Sequence, residues 1–171
     1  PLAQGVFAFA AYIFPEDIYW SAFLMKVPLI ALDIGNVWLI MGLLKWLDRP
    51  VSSVLWYALN PLILLEISGN LHFEGVMLFF FLLSWLALLQ GRQLPAMVAF
   101  GLSVASKLLT LLFVPAMFRR FPEGARIRTL LFLSIITGLL FLPFFNLTFL
   151  SNLGQSLDLY FRSFEFNASL Y

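Results

Sequence analysis

The sequence predicts an all-α polytopic membrane protein, a bundle of transmembrane helices that includes re-entrant or half-length members. Three observations carry this. The 171 residues are 62% hydrophobic and only 11% charged, with a mean hydropathy of +0.95, whereas soluble domains carry roughly a quarter charged residues. A chain of this length has too small a soluble core to hide so much apolar surface. The apolar residues also fall into runs near the about 20 residues that a helix needs to cross the hydrocarbon layer, and most cations lie between those runs.

Taken in order, residues 1–17 read as a half-inserted helix ending in Pro15-Glu16-Asp17. Ile18–Leu44 is a full span with Lys26 and Asp33 inside it. Val51–Ile67 is a shorter crossing that opens after Pro50 and stops at Gly69-Asn70, a helix C-terminal signal. Leu71–Gln90 spans next and ends in polar residues up to Gln93. Leu94–Phe118 either crosses once or folds as two short arms around Ser103–Lys107. Thr129–Asn146 is a further span, carrying Gly138 and Pro143. The aromatic stretch with Tyr160, Phe161 and Phe164 reads as an interfacial helix. No tandem repeat or low-complexity linker divides the chain, so the expectation is a single transmembrane domain over 1–171. With neither an initiator methionine nor a basic leader ahead of Pro1, that domain is expected to start partway through a longer polypeptide.

Charge placement decides between the two readings of Leu94–Phe118. Lys and Arg accumulate in short cytoplasmic loops. Lys45 and Arg49 mark one loop and Arg92 another, two crossings later. A single crossing by Leu94–Phe118 sends Arg119, Arg120, Arg126 and Arg128 to the opposite side. A hairpin returns them, placing these seven of the ten cations together. Its cost is non-helical backbone at depth, tolerated where protein or water surrounds it. The turn Gly69-Asn70-Leu71-His72-Phe73-Glu74-Gly75 and Lys107 at the hairpin tip then both face away from the cytoplasm.

A net charge of +1 supplies no basic face for nucleic acid. With no cysteine, disulfides, thiolate chemistry and cysteine-ligated metals are excluded, and one histidine with scattered carboxylates makes no case for a metal site. The candidates that remain are ionisable groups in apolar surroundings, which are expensive and usually functional. Lys26 and Asp33, seven residues apart, project from nearly one helix face and share a polar cavity with Glu66 in this reading. Lys107 has no other charge between Arg92 and Arg119. It either meets a phosphate or pairs with Glu66 or Glu74. His72 and Glu74 precede a helix starting near Gly75, whose free N–H groups favour an anion. Glu74 alternatively caps that helix or orients His72. Asn146-Leu147-Thr148 and Asn167-Ala168-Ser169 match the glycosylation acceptor pattern, a signal that commonly arises by accident. The same polar groups also fit a transporter with a midplane site or a non-catalytic scaffold of packed helices.

The stretches PLAQ, ALNPLILLEISGNLHFEG, SVASKLLTLLFVPAMF and FEFNASLY together resemble the polytopic GT-C glycosyltransferases, and are most similar to bacterial polyprenol-phosphate-mannose-dependent mannosyltransferases. The resemblance rests on Asn60-Pro61, Gly69-Asn70, His72 with an acid two residues on, Ser106-Lys107 with Pro115, and Phe166-Asn167. It implies a multispan enzyme of the bacterial inner membrane that moves a sugar from a polyprenyl-phosphate donor to a glycan or glycolipid acceptor on the extracytoplasmic face. It implies no cofactor. The donor phosphate then falls to Lys107, His72, Asn70, Glu74, Arg162 and Asn167. The family's catalytic aspartate lies in a first extracytoplasmic loop, upstream of the stretch resembling PLAQ. Glu16, Asp17 and Glu74 do not match that position, so no catalytic base is assigned, and the chain by itself is expected to be inactive.

Overall fold

The computed structural model describes residues 1–121 and 123–158, and every regular element among them is helical. They form two compact units, the first ending at Leu140 and the second starting at Phe141.

Helix α1 (Leu2–Ile13) leads through a short turn to α2 (Ile18–Trp46). Asp17 starts α2 by accepting from the backbone N–H groups of Tyr19 and Trp20 at 3.0 and 3.1 Å, the usual work of an N-cap carboxylate. The helix runs on through Pro28 and ends two residues beyond the expected Leu44, with Lys45 in its last turn. It is the one described helix long and apolar enough to cross a membrane, and only 11% of its most apolar window is buried. A helix at the centre of a soluble protein is mostly covered; α2 instead presents Ile18, Trp38 and Ile34 outward.

The expected crossing Val51–Ile67 is not one helix. It is a 3-10 turn (Val51–Val54), a single turn α3 (Leu55–Ala58), a single turn α4 (Pro61–Ile63) and a π turn (Leu64–Gly69). The break has a local cause. Pro61 forces Asn60 out of the helical region, to ψ 116°, because its ring clashes with the preceding residue. Asn60 then restarts the chain by accepting from the N–H of Leu62 at 3.0 Å.

Helix α5 (Glu74–Leu89) lies within the expected span Leu71–Gln90 and starts one residue before the expected Gly75, after Leu71, which takes a left-handed backbone with φ 58°. It packs parallel to α2: Gly35 lies against Phe79, and seven residues on in both helices Gly42 lies against Leu86. Helix α6 (Gln93–Ser106) runs antiparallel to α5, with the Ser103 hydroxyl donating to the Met77 carbonyl at 2.8 Å. Its small residues Ala96, Ala99, Gly101, Ser103 and Ala105 are all buried, which lets neighbouring backbones approach.

After α6 the chain reverses. Lys107 is extended (φ −154°, ψ 128°), and a 3-10 stretch (Leu108–Phe113) and α7 (Val114–Arg120) follow. Helix α6 rises about 21 Å and the return arm about 22 Å. Accordingly Met117 and Phe121 join Met97, Phe100 and Val104 in the core. This is the two-armed reading of Leu94–Phe118. A 3-10 turn (Glu123–Ala125) leads into α8 (Arg126–Phe141), where Thr129–Asn146 was expected. A 3-10 turn holding Pro143 (Leu142–Phe144) ends that run, because proline cannot donate to a continuing helix. The second unit, as far as it is described, contains this turn and α9 (Leu147–Asp158).

Candidate functional site

Two junctions meet at one end of the α5–α6 pair. The first is the stop of the broken segment. Asn70 caps the π turn through its N–H to the Leu65 carbonyl at 3.0 Å, and the His72 N–H reaches back to the Glu66 carbonyl at 3.2 Å. Between them sits the left-handed Leu71. A π turn and a non-glycine left-handed residue are both costly, by about 1–3 kcal/mol for the latter, and such features cluster at functional sites. Here they bring the Glu66 carboxylate to 2.9 Å from His72 Nδ1.

The second junction is the reversal at Lys107, whose ammonium donates to Glu74 Oε1. The other Glu74 oxygen lies 3.8 Å from His72 Nδ1. Glu66, His72, Glu74 and Lys107 thus form one chain of contacts across three elements. The side chains of Lys107 and Glu74 are 47% and 45% exposed. Where water reaches it, a pair this open contributes at most about 1 kcal/mol.

The expected residues do not all converge. Glu74 does not cap α5, which has no side-chain cap. Asn70 is an exposed backbone cap beside His72. Asp17 serves as an N-cap, and Glu16 is exposed in the same turn. Lys26, Asp33 and Glu66 are not joined: Glu66 is held by His72, Asp33 accepts from the Tyr57 hydroxyl at 2.6 Å, and Lys26 has no partner among the described residues. Arg162, Asn167 and the aromatic stretch at 160–164 lie outside the described residues. No group of three His, Asp or Glu among the described residues has the arrangement to hold a metal.

Two residues escape the sequence reading. Tyr57 accepts from Asn36 Nδ2 at 3.1 Å, and the same amide donates to the Gly75 carbonyl at 3.0 Å. This links α2, the broken segment and the start of α5 just behind Glu74. The available signal was Asn36, one helical turn after Asp33 on the same face.

The sequence profile of the alpha-(1->6)-mannopyranosyltransferase N-terminal domain matches residues 1–120. The chain belongs to this mannosyltransferase family. All four members of the Glu66–Lys107 contact chain fall inside the matched span of this mannosyltransferase, as do Asp33, Asn36 and Tyr57. No curated protein matches the chain, and no solved structure matches it.

Proposed function

We propose that the protein is a GT-C mannosyltransferase of a bacterial inner membrane. It takes mannose from a polyprenyl-phosphate donor and forms an α-(1→6) bond to a glycan or glycolipid acceptor on the extracytoplasmic face. The family supports the sugar and the bond, since its name specifies both. One observation carries the site: His72, Glu74 and Lys107 gather at one end of the α5–α6 pair, while Arg92 and the return arm ending in Arg119 and Arg120 lie at the other. Parallel packing of α2 on α5 brings Lys45 to that same arginine end. This charge asymmetry supports a reading with cytoplasmic arginines and an outward-facing polar turn.

Chemically, transfer breaks the bond from the sugar's anomeric carbon to a phosphate oxygen, and the departing phosphate gains charge. Lys107 and the N–H groups at the start of α5 stabilise that charge, with His72 and Asn70 beside them. The acceptor hydroxyl gives up its proton to a base that none of the described residues is assigned to be. Lys26 and Asp33 contribute polarity to the same half of α2.

The test is mannose transfer by the full-length protein in proteoliposomes with polyprenyl-phosphate-mannose and a mannan acceptor. Lys107→Met is expected to lower kcat by about a hundredfold or more, as loss of one charge-stabilising donor does, while membrane insertion is kept. An unchanged rate removes Lys107 from the site.

A further inference from the structure

A neutral imidazole carries one proton, and whichever nitrogen holds it is the donor. In His72 that nitrogen is fixed. A carboxylate only accepts, and Glu66 Oε2 lies 2.9 Å from Nδ1, with Glu74 Oε2 3.8 Å from the same atom. The proton therefore sits on Nδ1. Glu66 grips the residue twice, since its backbone carbonyl also takes the His72 N–H at 3.2 Å. Nε2 has no partner among the described residues, and half of the side chain is exposed (50%). In the neutral ring Nε2 is a bare lone pair that repels a phosphate oxygen. It becomes a donor only when the ring takes up a second proton.

We propose that Glu66 and His72 act as one unit that couples donor binding to proton uptake, with Glu66 as the positioning residue and His72 Nε2 as the atom that contacts the donor phosphate. The inference rests on the reading of this turn as the donor-phosphate site. The charges facing the ring are Glu66 from the π turn, Glu74 from α5, and Lys107 at the reversal after α6, which is held by Glu74. A bound phosphodiester adds one negative charge. With a neutral ring, three anions would then face one cation. A proton drawn from water onto Nε2 restores a second cation at the point where the phosphate sits, and the Nδ1–H bond to Glu66 survives unchanged.

The experiment measures binding of polyprenyl-phosphate-mannose to the full-length protein in nanodiscs without acceptor. This phosphodiester keeps a single charge between about pH 6 and about pH 8, the window in which imidazoles generally change charge. Wild type is expected to bind roughly tenfold or more weakly at the higher pH, the linkage of one proton to binding. Glu66→Gln and His72→Gln should bind weakly with a flat profile, and Glu66→Asp should keep the slope. A flat wild-type profile, or a wild-type slope in Glu66→Gln, overturns the coupling. If His72→Gln and Lys107→Met both bind donor as wild type does at the lower pH, the site reading itself fails. If both weaken while wild type is flat, only the coupling fails.

Discussion

The Tyr57 hydroxyl joins three elements with one oxygen. It donates to Asp33 and accepts from Asn36, whose second amide hydrogen goes to the Gly75 carbonyl. The amide cannot be turned over, because Gly75 offers only an acceptor; Asn36 Oδ1 is consequently left buried without a partner. Removing the hydroxyl strands one Asp33 oxygen and one amide hydrogen, at about 1–3 kcal/mol. Tyr57→Phe should therefore lower the thermal midpoint of the full-length protein, followed by tryptophan fluorescence. Adding Asp33→Leu should cost less than the two single losses together, because both act on one network. Strict additivity would dissolve the network. The sequence made it clear that Asp33 needs a partner, since a lone carboxylate in an apolar helix is costly. It pointed to Lys26 by helical spacing, yet the partner sits 24 residues away on another element. Periodicity reports neighbours on one helix and is blind to those on another.

Elements with steady apolar content were legible, and those shaped by a single backbone event were not. Ile18 was the right start for α2, and the reversal at Lys107 followed from counting arginines on each side. The stretch after Pro50 looked like one crossing because its composition is uniform, and only the ring of Pro61 and the left-handed Leu71 divide it. What holds these pieces in register is close approach of α2 and α5. A Cβ at Gly35 would lie 2.5 Å from the Phe79 ring, whereas one at Gly42 meets Leu86 at 3.4 Å, an ordinary contact. Gly35→Val must therefore push the ring or the helix away, at about 1–3 kcal/mol of overpacking, and Phe79→Ala in the same chain should return most of the lost thermal stability. Failure of that rescue would mean the helices are not pressed together at Gly35. Gly42→Ala should be nearly silent in the same assay.

At the scale of the molecule, lengths set the depth of the site. Along α2, Lys26 and Lys45 are about 28 Å apart, close to the roughly 30 Å of hydrocarbon in a bilayer. Helix α5 rises only about 24 Å, and its far end is level with Lys45 by the Gly42–Leu86 contact. If α2 crosses with its two lysines at the boundaries, the His72 turn lies several ångströms below the outer one. Helix α1 packs beside the part of α2 that extends past it, with Phe7 against Phe73 at 5.3 Å between ring centres. In the proposed reaction such a depth would bring the donor phosphate in from the membrane side and leave its prenyl chain in lipid. The expected sidedness rests on counts of cations, whereas depth requires knowing which residues of α2 and α5 touch. Both are testable together, since this chain has no cysteine and single cysteines report without background. Asn70→Cys, Gln90→Cys and Arg120→Cys all replace exposed residues. In sealed right-side-out vesicles a membrane-impermeant maleimide should label Asn70→Cys alone. Gln90→Cys and Arg120→Cys should react only after the vesicles are opened. Labelling of Arg120→Cys from outside would make Leu94–Phe118 a single crossing in the membrane and separate Lys107 from His72. Labelling of Asn70→Cys only after opening would turn the whole site toward the cytoplasm, where the proposed extracytoplasmic transfer has no place.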